Sequence, residues 1–249
     1  MKLHDLVAYL DRLLGHAGTQ DYPGAFNGLQ VENLGEVRRV AVAVDAHRDT
    51  IRSAVETGAD LLLVHHGLFW SPLAPVTGAS YQKLKLCLDR NLAVYASHLP
   101  LDAHPEVGNS AGLARALGLE GGEPWFESHG WLVGLRFQVD LDRSDLEGRL
   151  EAATGRALMR PWGPERVRAL GLVTGGAGSD LAAAARAGLD TFLTGEGPHW
   201  TDGMARDLGL NLLYGGHYAT ETFGVKALGA HLEQRFGLPW TFLHAPSDL

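Results

Sequence analysis

The chain has 249 residues, of which 45% are hydrophobic and 20% are charged, and its formal net charge is −8. Such a chain folds as one large domain or as two small ones, and its composition excludes a disordered protein. The acidic balance argues against nucleic acid as a partner, because phosphate binding requires a clustered positive patch. No apolar run approaches the ~18–20 residues that a membrane span needs, so we expect no membrane partner either.

The N-terminal segment and the cysteine content point to the cytoplasm. Apolar residues recur at helical spacing over residues 3–14, with Asp5 and Asp11 among them. We therefore expect an amphipathic helix that ends at Gly15, rather than a signal peptide. Cys87 is the single cysteine, which excludes an internal disulfide. Its apolar helical neighbours predict a buried, inert thiol.

After a loop at 19–31, the chain alternates between predicted strands and helices. In chain order these are strand 38–46, helix 48–57, strand 60–64, helix 80–90, strand 92–96, helix 108–117, strand 131–139, helix 144–153, strand 167–173, helix 179–187, strand 190–194, helix 198–208, strand 211–214, helix 221–236 and strand 240–243. This alternation predicts an α/β fold with mostly parallel sheets.

Two stretches of the sequence recur in the same order. In the first match, Gly58, Asp60, Leu63, Gly67 and Trp70 recur as Gly188, Asp190, Leu193, Gly197 and Trp200, each 130 positions later (188 − 58). In the second, NLAVYASHLPLD and LNLLYGGHYATE both place an acid four residues after a histidine. We therefore expect two pseudo-repeated α/β halves at 1–118 and 165–249, joined by a β–α segment at 119–164, with a metal site between them.

Polar residues follow four of the predicted strands. They are His65 and His66, His98, Glu196 in the TGEG loop, and His217, with Asp102 and Glu221 in the turns that come after. Ligands collect outside the carboxyl ends of parallel strands, so we expect these side chains to converge on one crevice. A lone histidine at a strand end is usually only a hydrogen-bonding loop residue. The prediction therefore depends on the combination.

Imidazole nitrogens and carboxylate oxygens suit Zn²⁺, Mn²⁺, Fe²⁺ or Ni²⁺. Five or six candidate ligands exceed the about three that a single catalytic ion takes from a protein. The sequence therefore predicts two divalent ions per chain. Asp102 and Glu221 are the candidates to bridge two ions ~3.5–4 Å apart.

Four stretches resemble the signature blocks of the Nif-three-like family of dinuclear-metal proteins. They are DLLLVHHGLFW, ASHLPLDAHPEVGNSAGLARALGL, TGEG and GHYATETFGV, and the resemblance covers nearly the whole chain. Many bacterial members are called GTP cyclohydrolase type 2 homologues. The metal ligands that this resemblance implies are His65, His66, Asp102, His217 and Glu221, with His98 in the same pocket. It also implies a ring-shaped homohexamer.

Two departures from the family accompany the resemblance. Gly67 follows the paired histidines, where many relatives have proline. Only about residues 120–165 lie between the halves, which is too few for the extra domain that larger relatives insert.

Two metal ions with open positions would lower the pKa of a water molecule toward ~7 and polarise a substrate oxygen, which is the chemistry of hydrolysis. Glu196 and His98 are the candidate acid–base residues, with His199 as another. The family name suggests opening of the imidazole ring of GTP, but phosphoester or amide hydrolysis suits the ligands equally well. The expected partners are copies of the chain and a small-molecule substrate such as a nucleotide. A non-catalytic metal-binding scaffold or metal-handling protein is the alternative from a different class.

Two weaker patterns leave alternatives open. The stretch TGGAGSD at 174–180 is compatible with a phosphate-binding loop or with a tight turn capped by Ser179 or Asp180. Aromatic residues flank the ligands, either for packing or for base stacking. They are Phe69, Trp70, Trp200, Tyr214 and Tyr218.

Overall fold

The computed structural model describes residues 1–16, 20–70 and 74–247. The helices are α1 Leu3–Leu14, α2 Arg48–Glu56, α3 Gly78–Asp89, α4 Leu99–Asp102, α5 Asn109–Ala116, α6 Arg143–Thr154, α7 Leu181–Arg186, α8 Thr201–Leu208, α9 His217–Thr220 and α10 Thr222–Phe236, with a 3₁₀ turn at Ala177–Asp180. The strands are β1 Gly28–Val31, β2 Val40–Asp45, β3 Leu61–His66, β4 Ala93–Ala96, β5 Glu123–Ser128, β6 Trp131–Asp142, β7 Leu158–Pro161, β8 Arg166–Leu172, β9 Thr191–Thr194, β10 Asn211–Tyr214 and β11 Trp240–Phe242. Within the described ranges, no helix is long and apolar enough to cross a membrane.

The strands form two sheets, and the predicted α/β class is confirmed. The first sheet has the order β1-β4-β3-β2-β11, and three of its four strand pairs are parallel. The second has the order β5-β6-β8-β9-β10-β7 and is parallel at two of its five pairs, β8 with β9 and β9 with β10. Parallel strands thus form the centre of each sheet, and antiparallel strands are added at the margins.

The N-terminal helix is the one that the sequence predicts. Leucines spaced three or four residues apart are buried on one face of α1, as helical periodicity requires. The helix ends at Gly15, whose φ of 68° is left-handed and whose N–H donates to the carbonyl of Asp11. Glycine adopts this conformation without steric penalty, so it ends the helix at the predicted position.

The folded chain consists of two compact units. The first comprises Met1–Val107 and Gly224–Ala245, and the second mainly Gly108–Phe223. In the first unit the sheet is buried on both faces, since alternate residues of β2 and β3 belong to two different apolar clusters. The second unit has its own core, to which helices α5 and α6 and strands β6, β8, β9 and β10 contribute.

Each copy of the predicted duplication shows the same order of elements. The first copy runs α1-β1-β2-α2-β3-α3-β4-α4-α5, and the second runs α6-β7-β8-α7-β9-α8-β10-α9-α10. The sheets agree as well, because β1-β4-β3-β2 and β7-β10-β9-β8 have the same order and the same parallel and antiparallel pairs. This shared topology supports an internal duplication. We predict that superposition of the two copies brings His98 onto His217 and Asp102 onto Glu221.

The structure also contains elements that the sequence pattern misses. Strand β1 lies within the predicted loop at 19–31, whose first residue is outside the described ranges. Strands β5 and β7 are also additional. The second copy of the element order begins at Arg143, ahead of residue 165, where the sequence places the start of the second half. Strand β7 has no buried residue, and so it lacks the apolar pattern that would have marked it.

Candidate metal centre

In the first unit, three histidines meet at the carboxyl ends of two adjacent strands. His65 and His66 are the last residues of β3, and His98 follows β4, which is parallel to β3. The ring centroid of His65 lies 4.6 Å from that of His66 and 4.9 Å from that of His98. One nitrogen of each ring lies within 4.8 Å of the other two, so the three residues can share one metal ion. Their predicted convergence is therefore observed.

Each of these three rings presents Nδ1 to an oxygen acceptor. Nδ1 of His65 lies 2.9 Å from the carbonyl oxygen of Ser97. Nδ1 of His66 lies 2.8 Å from Asp45 Oδ1, and Nδ1 of His98 lies 2.8 Å from Asp21 Oδ1. A carbonyl or an ionised carboxylate only accepts, so the proton is on Nδ1 and the lone pair of a neutral ring is on Nε2. Metal-binding histidines are commonly held in this way.

Asp102, at the end of α4, adds a carboxylate to this set. Its Oδ2 lies 3.5 Å from Nε2 of His65. The His65 side chain is fully buried, and that of Asp102 is 10% exposed. A ring that donates through Nδ1 thus turns its electron-rich nitrogen toward a largely buried carboxylate. Such a pair attracts a cation, either a proton or a metal ion, and the donor set fits a divalent ion of borderline hardness.

The second unit places a histidine between two carboxylates. His217, the first residue of α9, has Nδ1 2.7 Å from Glu196 Oε1 and Nε2 3.2 Å from Glu221 Oε1. Burial opposes a charge on the ring, but the hydrogen bonds and charges of Glu221 and then of Glu196 outweigh it and raise the pKa of His217 to about 9. The two carboxylates therefore hold a positive charge at this ring. A cation is favoured here as well.

The glycine-rich stretch at 174–180 is explained by loop packing. The N–H groups of Gly175, Ala177 and Gly178 donate to Thr220 Oγ1, Thr194 Oγ1 and the carbonyl of Glu196, at distances of 3.0, 3.2 and 3.0 Å. A Cβ on Gly178 would lie 2.5 Å from the Cα of Gly197. The geometry favours the tight turn over the phosphate-binding loop, because three of the N–H groups that would bind a phosphate are already used.

The structure brings the predicted site residues together in two sets. The first unit holds His65, His66, His98 and Asp102, and the second holds His217, Glu221 and Glu196. That the two sets share one dinuclear site stays a prediction, as do the acid–base roles of Glu196 and His98. The contact that Glu196 makes is with Nδ1 of His217, which suits a residue that orients the ring.

Sequence reasoning missed the carboxylates that hold the histidines of the first unit. Asp45 ends β2 in register with His66 on β3. A polar residue at the end of an apolar strand is the same signal that identified the histidines, so Asp45 could have been predicted. Asp21 lies in a loop and also accepts from the side chain of Asn27 at 2.8 Å, and nothing in the local sequence marks it.

The similarity to known proteins extends over the whole chain. The profile of the family Duf34/NIF3 (NGG1p interacting factor 3) matches residues 1–248. A protein of Deinococcus radiodurans named GTP cyclohydrolase 1 type 2 homolog is 41% identical over 248 residues, which are 98% of this chain and 94% of that protein. A protein of the same name from Archaeoglobus fulgidus is 39% identical, with full coverage of both chains. The crystal structure of TTHA1606 from Thermus thermophilus superimposes with a TM-score of 0.93, at 43% identity and full coverage of both chains. By profile, sequence and fold, this chain belongs to the Duf34/NIF3 family.

Proposed function

We propose that this protein binds two divalent metal ions per chain and is a metal-dependent hydrolase of a small molecule. The observation that carries the proposal is a pattern common to four histidines: each presents Nδ1 to an oxygen acceptor, which leaves Nε2 facing outward from its holder. We assign Nε2 of His65, His66 and His217 to the metal ions and Nε2 of His98 to proton transfer. The proposed ligands are His65, His66, Asp102, His217 and Glu221. When bound, such ions activate water and polarise a substrate oxygen.

The residues around the proposed ligands supply positioning and proton transfer. Asp45 and Asp21 fix the rings of His66 and His98 through Nδ1. Glu196 does the same for His217. The side chain of Glu196 is 36% exposed, so a substrate proton can reach its carboxylate. We propose Glu196 and His98 as the general acid–base pair.

Metal content tests the first part of this proposal. After reconstitution with Mn²⁺ or Zn²⁺, elemental analysis should find about two ions per chain, as the ligand count implies. His217→Ala and Glu221→Ala should each lower that content. His129→Ala and His231→Ala are the controls, because His129 lies in the turn between β5 and β6 and His231 is engaged with the hydroxyl of Tyr9. Less than one ion per wild-type chain would contradict the dinuclear proposal.

Hydrolysis of GTP is the first reaction to test, because the relatives from Deinococcus radiodurans and Archaeoglobus fulgidus are named GTP cyclohydrolase 1 type 2 homolog. Metal-loaded protein is incubated with GTP, and the ring-opened product is followed by chromatography. Asp102→Ala is the control, since it removes a proposed ligand beside His65. Turnover that persists in this variant would place the activity elsewhere. No turnover with any loaded metal would reject GTP and leave the metal site untouched.

A further inference from the structure

A cavity of about 690 Å³ lies in the first unit, between the loop before β1, the loop after β3 and helix α3. Its wall includes the rings of Phe26, Phe69 and Trp70. These side chains are 56%, 41% and 39% exposed, and together they form one apolar patch. Cavities of this size bind small molecules, and exposed apolar rings that converge on one cavity mark an interaction site.

The wall of this cavity is built before any ligand arrives. The side chain of Gln30 accepts from the N–H of Leu68 at 2.6 Å and donates to the carbonyl of Phe26 at 2.7 Å. The N–H of Phe26 in turn donates to the carbonyl of Phe69 at 3.3 Å. These bonds join the two loops that carry the rings. A preformed wall reduces the ordering entropy that a ligand would otherwise have to overcome.

Gly67 contributes to the same arrangement. A Cβ at this position would overlap the amide group of Gln30. Glycine at this position therefore lets the side chain of Gln30, in β1, lie against the loop after β3. Gln30 in this way joins that loop to β1.

Trp70 connects the cavity to the histidines of the first unit. Its ring meets that of His98 edge-on at 4.6 Å and that of His66 edge-on at 5.4 Å. One residue thus lines the cavity and contacts two members of the histidine set. Only the indole ring of Trp70 would separate a ligand lying against it from those histidines.

The charge of the lining restricts what the cavity can hold. Among the lining residues that the structure describes, Lys83 is the single charged one, and the rest are mainly apolar. One cation can compensate one anionic group. A nucleoside triphosphate would bring several negative charges into surroundings that cannot solvate them.

We propose that this cavity binds an aromatic small molecule carrying at most one negative charge, with its ring among Phe26, Phe69 and Trp70 and its anionic group on Lys83. This inference rests on the proposed hydrolase and narrows its substrate class to a flat aromatic compound with few charges, held beside the His65, His66 and His98 set. It therefore predicts that the GTP assay described above gives no turnover at this site.

The test uses 2-naphthoate, a bicyclic ring with one carboxylate, titrated calorimetrically into the full metal-free chain and again into the metal-loaded chain. We expect one site per chain in both. Lys83→Gln should raise Kd roughly three- to tenfold, as the loss of one hydrogen bond at a partly buried position predicts. Lys85→Gln is the matched control on the same helix, because its ammonium pairs with Asp89 at 2.6 Å and it does not line the cavity. It should leave Kd unchanged.

Two further probes test the ring and the charge separately. Decanoate, with the same charge and no ring, and naphthalene-2,6-dicarboxylate, with a second charge, should each bind at least about tenfold more weakly. Equal binding of decanoate, or a Kd that does not respond to Lys83→Gln, would overturn the proposal. The proposal would also be overturned by two results together: the wild-type chain does not bind 2-naphthoate, and Val76→Asp abolishes the oligomeric state of the wild type. A second copy of the chain would then occupy the cavity.

The outcomes separate this inference from the proposed function. Binding of 2-naphthoate with the expected dependence on Lys83, in a chain that takes up no metal, would reject the hydrolase and keep the cavity. Full metal uptake without binding of 2-naphthoate would reject the ligand proposed for the cavity and keep the proposed metal site.

Discussion

Gly175 shows how closely the loop after β8 approaches the candidate ligands. Its φ is 71°, and a Cβ at this position would overlap Glu221 Oε1 and lie 3.5 Å from His217 Nε2. Its N–H donates to Thr220 Oγ1 at 3.0 Å. Glycine is required here for two reasons, the left-handed backbone and the space that Glu221 occupies.

Gly175→Ala should therefore displace Glu221 and weaken metal binding. Disturbing residues that support a metal site typically lowers affinity about 10–100-fold, and we expect a loss of that order. Gly188→Ala is the matched control, because Gly188 has a φ of 72° and nothing within 4 Å of its Cβ position. It should show only the penalty for a left-handed alanine, ~1–2 kcal/mol of stability. Equal metal affinity in the two variants, measured by competition with a chelating dye, would contradict the role of Gly175.

Cys87 is the second residue whose behaviour the structure predicts. The side chain is fully buried, and burial raises the pKa of the thiol to about 11. The reactive thiolate is therefore scarce at pH 8, in addition to being inaccessible. A thiol-reactive dye should label the folded chain slowly at pH 8 and the chain in urea rapidly. Rapid labelling of the folded chain would show that α3 opens or that the thiol is exposed.

At the scale of elements, α10 is the clearest example of a helix whose place the chain order does not predict. It is the last helix of the second copy, yet Val225, Leu228 and Leu232 are fully buried in the core of the first unit. Conversely, α5 closes the first copy, and its Leu113 is buried in the core of the second unit.

Leu228→Ala should destabilise the protein by about 2–5 kcal/mol, as the removal of a buried leucine side chain does. The measurement is the shift of the urea unfolding curve. Gln234→Ala, on the exposed face of the same helix, should change stability by no more than about 0.5 kcal/mol. Equal effects of the two substitutions would mean that α10 is not part of the core.

Strands with a strong apolar pattern were predicted well, and three of the four strands at sheet edges were missed, the exception being β11. Strands β2 and β3 are almost continuously buried, and both were predicted. The missed strands β1, β5 and β7 each lie at the edge of a sheet. An edge strand has one neighbour and buries less of its surface, so fewer of its positions must be apolar. The local signal is correspondingly weak.

At the scale of the whole molecule, we predict a homo-oligomer, and the family resemblance sets the number at six. The second unit exposes large apolar side chains that association would cover; Leu132, Leu158 and Trp200 are each about half exposed. Light scattering at micromolar concentration should give a mass near six times 26.8 kDa. A monomer under these conditions would contradict the prediction.

The sequence by itself determined the α/β class, the duplicated order of motifs and the polar residues that follow the strands, because periodicity and the chemistry of strand ends are local properties. Only the tertiary structure decided which oxygen holds each histidine, which unit α10 stabilises, and that the glycine-rich loop packs rather than cradles a phosphate. Asp21 lies 77 residues from His98, and Asp45 lies 21 residues from His66. Contacts of this kind arise when strands and loops are brought together by burial of the cores, and no short-range pattern records which partner a side chain will meet.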